Sequence, residues 1–591
     1  MKPLRALRAM VVLATAVVAA ASSASQAQAP DTRHVVVISI DGLKPTTYTA
    51  DGPSKVPTLR GLAREGAYAE GVIGVTPTVT YPSHTTMMTG VPPAIHGIYN
   101  NRILDPEEVS NASWYWYARD IQVPTLPAVA KARGLRTAAV SWPVTVGADI
   151  DYLMPEFGGV TRHRKWLDLI RAISDPRDLL DSYERQVKPL AWPLTDDDRT
   201  GVAAWIIRTY RPQLMLLHIF ATDDAQHAFG PGSPEALAAI ETADAHVRQI
   251  IQAVADAGLT DRTDIVVLSD HGFLPLENQL NPNNLFKREG LLEVDAAGKI
   301  ARWDAYFYPA GGSGFVILRD RTDPSLRDRV GALLQKMASD PANGILTVWT
   351  EDDLRRLGAE PRASFGIDMR NGFYSGAGHD ALLSKPSSKG GHGFAPTRPE
   401  LHASLIMQGP DVGRVGNLGV VRMSQIGPTL ASWLSVTLSP KADAPLALAS
   451  RPTTTGIPVE PSSSSPPSSV TVAVFSAPLE GPPSGRAMPA GCRLIETTRP
   501  VDMTEVEMEG QRDPYRVERK NASAAGANAL LVLSKIVVPR HDFDCPRGLR
   551  ITDCPASSGA RLQVVFESYA CSDEALRTLS TPAPKPPKGG F

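Results

Sequence analysis

The sequence predicts an α/β protein: an open, mostly parallel sheet with helices on both faces, an inserted cap, and a small disulfide-bonded α+β domain near the C-terminal end. Three observations carry that expectation. Continuous β-branched runs alternate with amphipathic, punctuated segments over residues 34–435, the pattern of strands buried on both faces between crossover helices. A Pro- and Ser-rich stretch interrupts the chain at residues 451–470. Beyond it lie Cys492, Cys545, Cys554 and Cys571, all the cysteines of the sequence.

Taken in order, residues 1–29 read as a secretory signal. Lys2, Arg5 and Arg8 precede an apolar run at 10–21, and small residues follow with possible cleavage after Ala27 or Ala29. That run is short for a spanning helix, and no later run approaches about 20 apolar residues. The expected location is therefore the periplasm or the exterior, with no membrane span after cleavage; an uncleaved anchor is the alternative. HVVVISI at 34–40 is a strand buried on both faces. Residues 56–65 form a short helix with Pro57 near its start and Gly66 as its stop. A second helix covers 124–133, ended by Gly134, and strands follow at 135–142, 214–220, 265–269 and 404–407. Between two of them, 234–257 is an amphipathic helix with Leu237, Ile240, Val247, Ile251 and Val254 along one side. Residues 276–390 break the alternation and are expected to be a cap inserted in a domain of 30–450. The stretch 451–470, RPTTTGIPVEPSSSSPPSSV, cannot bury a core and reads as an extended linker. A small domain at 471–575 follows, with 519–538 as a helix leading into a strand and RLQVVFESYAC as its last strand; 576–591 is expected to be a disordered tail.

A length of 591 residues accommodates two to four domains. With 60 basic against 62 acidic residues, the net charge of −2 offers no electrostatic reason for a nucleic-acid duplex partner. The 43% hydrophobic and 21% charged content is that of an ordinary globular chain, which excludes disorder throughout and a multi-span membrane protein. An exported chain keeps four cysteines as two disulfides. No pair of them has the short spacing of a zinc knuckle, and three connectivities remain open.

Ligands of open α/β sheets bind at the carboxyl ends of the strands. Polar residues just beyond each apolar run are therefore informative. Asp41 follows the first strand (SIDG), Asp223 and His227 follow another (ATDDAQHAFGP), Asp270 and His271 end a third (VVLSDHGF), and His392 sits in KGGHGF. Each has a blander reading alone: a turn aspartate, a helix-surface pair, a capped helix start. Jointly, three carboxylates and three imidazoles without sulfur suit zinc or manganese, and six ligands are enough for two divalent ions. His218, His246 and His402 lack the strand-end position and read as structural. Residues 76–90, TPTVTYPSHTTMMTG, lead into a helix with Pro82 early in it. A hydroxyl there faces free backbone N–H groups where a phosphate settles, but Thr or Ser is inert at its free pKa, so a metal must bind and deprotonate it. Thr76, Thr78, Thr80, Ser83 and Thr85 compete, and spacing does not choose among them.

In their order, SIDGLKP, PTVTYPSHTTMMTG, HGIYNNRILDP, ATDDAQHAFGP, SDHGF and GGHGF resemble the type I phosphodiesterase/nucleotide pyrophosphatase family of the alkaline phosphatase superfamily. MSQIGPTLASWL is similar to that superfamily's last sheet-and-helix segment. The resemblance implies an alkaline-phosphatase-like fold, a small-molecule phosphodiester or nucleotide substrate, and two divalent ions, zinc or manganese. It implies Thr80 as the nucleophile, forming a phospho-threonine intermediate. Asp41, Asp270 and His271 would hold one ion together with Thr80; Asp223, His227 and His392 would hold the other. Asn101 would hydrogen-bond a non-bridging phosphate oxygen beside the Tyr81 N–H. Tyr81-Pro82-Ser83 departs from the family's frequent Phe-Pro-Asn. Related threonine-dependent monoesterases carry Lys-x-Arg where this chain has Pro143-Val144-Thr145, so a preference for diesters is expected. The basic run at 162–165 is the rival source of phosphate-binding charge. Phosphomonoester or phosphonoacetate hydrolysis on the same scaffold, or a non-catalytic envelope ligand-binding protein, are the alternatives. A formylglycine sulfatase is excluded, because its C/S-x-P-x-R context is missing. The C-terminal block resembles the small disulfide-bonded domain of envelope-stress lipoproteins of the RcsF type, through AAGANALLVL and the last cysteine, which implies an envelope partner.

Overall fold

A computed structural model describes residues 33–49, 52–107, 114–158, 165–413 and 415–448, together with five strands beyond them. The signal, linker and tail readings, and the basic run except the backbone of Lys165, fall outside the described residues. The core of the molecule is an eight-stranded sheet: β1 (His34–Ile40), β2 (Ala67–Tyr68), β3 (Thr137–Val140), β4 (Tyr152–Met154), β5 (Leu214–Ile219), β6 (Thr263–Leu268), β7 (Leu405–Gln408) and β8 (Gly416–Asn417). Their spatial order is β8-β2-β7-β6-β1-β5-β3-β4. β1, β3, β4, β5 and β6 pair in parallel, whereas β7 is antiparallel to both of its neighbours. The expected open, mostly parallel sheet is therefore present.

β1 shows why the central strands read as unbroken apolar runs. All seven of its residues are buried. Side chains alternate across a strand, so Val36, Ile38 and Ile40 enter one core, while Val35 and Val37 enter the other. Helices α1 (Pro57–Glu65), α4 (Asp196–Tyr210) and α6 (Pro234–Asp256) cover the first face through Leu59, Val202 and Ile240. α2 (Thr80–Thr89), α3 (Leu126–Ala132) and α7 (Ile426–Trp433) cover the second through Met87, Leu126 and Leu430. Burying each such Leu or Ile contributes about 1.5–3 kcal/mol. Along α6 the buried stripe is Ala236, Ile240, Ala243, Val247, Ile250 and Val254. Leu237 and Ile251 are only partly buried. The buried stripe is thus rotated by about one residue from the one that apolar bulk alone indicates.

Residues 274–391 form a separate layer. Strand Leu274–Leu280 leads into a four-stranded antiparallel sheet of Ala305–Pro309, Ser313–Leu318, Phe365–Met369 and Ile345–Thr350. Phe286, Phe307, Phe315 and Ile367 fill a core of their own there. This layer touches the loop that carries Asn101: the Asn100 Nδ2 donates to Pro309 O at 2.9 Å, and the Tyr308 hydroxyl donates to Arg102 O.

Near the C-terminal end, Ala473–Ser476, Cys492–Thr497, Val501–Thr504, Ala529–Val538 and Arg561–Cys571 form a five-stranded sheet, in which Cys492 stands opposite Cys571. The strand expected toward the end of 519–538 is present as Ala529–Val538 and the last one as Arg561–Cys571; the helix expected before the first falls outside the described residues. No helix among the described residues is long and apolar enough to cross a membrane.

Candidate active site

Parallel pairing delivers the strand-end residues to one edge. Ile40 of β1 is level with Ile219 of β5, and Ser39 is level with Leu268 of β6. Asp41, Asp270 and His271 therefore emerge side by side. Asp223 and His227 lie on helix α5 (Ala221–Phe229), which starts directly after β5. Four-residue spacing puts them on one helix face, with His227 Nε2 at 3.4 Å from Asp223 Oδ2. That face is turned toward His392 rather than solvent: His392 Nε2 lies 3.6 Å from Asp223 Oδ1. The tight turn after His392 requires glycine, because Gly393 has φ +87° and a Cβ there would meet Ala310 O at 1.9 Å.

All six sequence-predicted Asp and His residues converge. His271 Nε2 is 3.3 Å from both Asp41 Oδ1 and Asp270 Oδ2, and its ring stacks on His392 at 3.5 Å and 10°. Ligand atoms of Asp223, His227 and His392 lie within 4.8 Å of one another, as do those of Asp41, Asp223 and His271, so Asp223 stands between the two groups. Asp41, Asp270 and His271 form a buried floor, whereas the Asp223 and His227 side chains are 17% and 27% exposed at the mouth.

The three imidazoles share one orientation. His227 Nδ1 meets Gly390 O at 2.8 Å, His271 Nδ1 meets Gly272 O at 3.2 Å, and His392 Nδ1 meets Thr78 O at 3.0 Å. A carbonyl only accepts, so each Nδ1 carries the proton and each Nε2 turns its lone pair inward. Burial holds all three rings below the ordinary histidine range; the neighbouring imidazoles add to this for His271 and His392. Burial, then the charges of the neighbouring carboxylates, pushes Asp41 and Asp223 well above the usual carboxylate range. Asp41 Oδ1, Asp223 Oδ1, Asp270 Oδ2 and His271 Nε2 are buried without a hydrogen-bond partner. Neutral imidazole lone pairs and orphaned carboxylate oxygens aimed at one small space are the donor set that divalent cations take. The residues fit such ions.

Thr80 opens α2, after Val79 in extended conformation. Two histidines pin this junction: His392 at Thr78 O, and His84 at Thr80 O with its Nδ1 2.8 Å away. The same His84 nitrogen is 3.8 Å from Asp270 Oδ2, so the Thr80 backbone sits against that buried floor. The competing hydroxyls are otherwise engaged or sealed. Thr78 bonds Phe394 O and Gly393 N, Thr85 bonds Tyr81 O, and Thr76 and Ser83 are buried. Thr80 retains 8% exposure and, among the described residues, its hydroxyl has no protein partner. Beside it, the Tyr81 N–H donates to Asn101 Oδ1 at 2.8 Å, which leaves the Asn101 Nδ2 free to donate outward.

Two groups at the site escaped the sequence reading. His218, assigned there to a structural role, contacts Asp41 directly. Its signal was concealed inside the apolar run LMLLHI, and only the register that sets it opposite Ser39 discloses it. Burial opposes its charged form, but hydrogen bonds to Asp41 and Glu156 outweigh that and push it up to about 10. The second group is an aromatic wall beside the helix start. Trp114 lies 5.3 Å from Tyr81 and stacks on Trp116 at 5.5 Å, and Trp116 meets Phe157 at 5.4 Å. All but Tyr81 are partly exposed.

Comparison with known proteins agrees with this architecture. A family model described as type I phosphodiesterase/nucleotide pyrophosphatase matches residues 35–394. An uncharacterised pyrophosphatase/phosphodiesterase of Schizosaccharomyces pombe is 27% identical over 290 residues, 47% of this chain and 50% of that protein. Human ectonucleotide pyrophosphatase/phosphodiesterase family member 1 is 24% identical over 252 residues, covering 41% of this chain and 24% of the relative. The chain thus spans about half or less of the length of these relatives. Among solved structures, human ectonucleotide pyrophosphatase/phosphodiesterase 5 superposes with a TM-score of 0.50 at 18% identity, over 69% of this chain and 96% of that one. The α/β fold is therefore alkaline-phosphatase-like, as the sequence led one to expect. With its motifs in family order over more than half its length, the chain belongs to the type I phosphodiesterase/nucleotide pyrophosphatase family.

Proposed function

We propose that this protein hydrolyses phosphodiester or pyrophosphate bonds of nucleotide-type small molecules, with Thr80 as nucleophile. The observation that carries the reading is the set of inward-facing Nε2 atoms and orphaned carboxylate oxygens beside Thr80. Asp41, Asp270 and His271 would hold one divalent ion, and Asp223, His227 and His392 the other, with zinc favoured by three imidazoles and manganese the alternative. Bound there, such ions supply Lewis-acid charge for the phosphate and the attacking oxygen.

The chain's own residues do the rest. The Thr80 Oγ attacks phosphorus in line, and the leaving oxygen departs on the opposite side, giving a phospho-threonine that water then hydrolyses. Asn101 Nδ2 donates to a non-bridging oxygen, and the start of α2 contributes the positive end of its dipole. The wall of Trp114, Trp116 and Phe157 offers a planar leaving group a stacking surface. Full-length relatives named pyrophosphatase/phosphodiesterase support this reading. A substrate panel of a nitrophenyl diester, its monoester, a dinucleotide and phosphonoacetate tests it; turnover of phosphonoacetate alone would replace it.

The same reading predicts a preference for diesters. A monoester brings an additional negative charge, and the register after β3 holds Pro143, Val144 and Thr145, with no cation. One charged contact to phosphate is worth about 2–3 kcal/mol, up to roughly a hundredfold in rate. The kcat/KM for a nitrophenyl diester should exceed that for the monoester by at least about tenfold. A reversed ratio that collapses on Arg162→Ala or Arg164→Ala would place the protein with the monoesterases.

Every candidate catalytic residue precedes the linker. A chain ending near Pro452 should therefore fold and keep the wild-type hydrolytic rate; a soluble but inactive truncation would make the C-terminal block part of the active unit. We assign that block a partner-binding role in the cell envelope, with export directed by residues 1–29.

A further inference from the structure

His218 lies in β5 with only 1% of its side chain exposed, and every polar group it meets is an acceptor. Nε2 is 3.1 Å from Asp41 Oδ2; Nδ1 is 3.2 Å from both Glu156 Oε2 and Ser141 O. The ring therefore donates at both ends. Packing holds its plane, with His84 at 4.5 Å and 61° and Phe220 at 5.5 Å. The other Glu156 oxygen accepts from the Tyr81 hydroxyl at 2.8 Å, and the Tyr81 N–H reaches Asn101. One hydrogen-bonded chain thus runs from Asp41 on the metal-binding floor to the residue beside the nucleophile.

We propose that His218, held by Glu156, is a positioning residue for Asp41: it occupies Oδ2, so that the carboxylate presents Oδ1 alone to a metal ion. Asp270 is arranged alike by different means, its Oδ1 accepting from the backbone N–H groups of Gly42 and His271 while Oδ2 stays open. Among the described residues Asp223 has no such brace, its two oxygens facing His227 and His392. The consequence is confined to the floor of the site. Removing a partner that orients a metal ligand typically weakens metal binding about 10–100-fold.

The inference rests on the two-metal reading, and the test separates them. Metal-free wild type, His218→Phe, His218→Gln and Glu156→Gln are titrated with zinc against a chromophoric chelator, with circular dichroism of each. Wild type should take two equivalents. His218→Phe should weaken one of them about 10–100-fold and leave the other unchanged. His218→Gln can still donate to Asp41 and should recover part of that loss; Glu156→Gln should weaken the same equivalent by less. Two wild-type-like equivalents in folded His218→Phe would overturn the positioning role alone. Should His218→Phe fail to fold, unchanged binding in both His218→Gln and Glu156→Gln would overturn it equally. A wild type that binds no zinc would overturn the metal reading itself.

Discussion

Stripping divalent metal from the purified protein is expected to lower phosphodiester hydrolysis by at least about a thousandfold, with zinc restoring it. Enzymes acting on phosphate esters must supply ~20 kcal/mol or more of transition-state stabilisation, and a single acid–base group contributes only about 10²–10⁴ in rate. The six converging residues are three carboxylates and three imidazoles kept neutral by burial. Without a cation this array repels an anionic phosphate. With two ions it attracts one, and both the attacking and leaving oxygens gain a counter-charge. Metal removal should also lower the melting temperature, because ions that bind only the folded state stabilise it by mass action. Activity retained in protein shown by elemental analysis to be metal-free would refute the two-metal reading.

Replacing Thr80 with alanine should cost a comparable factor, on the order of 10³ or more in kcat, with substrate binding little changed. Thr80→Ser keeps a hydroxyl at the start of α2 and should retain partial activity. The neighbouring threonines serve as controls with distinct structural roles. Thr85 bonds Tyr81 O within the helix, so Thr85→Ala should cost about 1 kcal/mol of stability and little rate. Thr78 braces the His392 loop through Phe394 O and Gly393 N, so Thr78→Ala should weaken metal binding before it affects chemistry. Equal rates for wild type and Thr80→Ala, measured by single-turnover burst and steady state, would remove Thr80 from the mechanism.

Much of the fold was legible because its signals are local. β1 is buried over the whole stretch read as a strand, and α1 starts at the proline and stops before the glycine that the sequence offered as its punctuation. The ends of β3, β5 and β6 differ from expectation by one or two residues: Phe220 is apolar but lies beyond the ladder, while Thr263 and Asp264 are polar yet pair with His34 and Val35. The stripe of α6 differs as well: small Ala236 and Ala243 are buried while the larger Leu237 is only partly so, a choice that apolar bulk along the chain does not reveal.

Legible along the chain were the alternation of strand and helix, the carboxylates and imidazoles at strand ends, and, through motif order, the family. These follow from residue type and spacing along the chain. Long-range contacts alone bring His218 to Asp41, set Asp223 between two ligand groups, and leave the Thr80 hydroxyl partly exposed and without a protein partner among the described residues, whereas the unpartnered hydroxyls of Thr76 and Ser83 are sealed. Each is a contact between strands or loops far apart in the chain. A histidine inside an apolar run looks like core until the register of two parallel strands sets it opposite Ser39, two residues before the aspartate it contacts. The physical reason is that a hydrogen bond is decided by distances of about 3 Å, and no one-dimensional pattern contains those distances until the sheet is assembled.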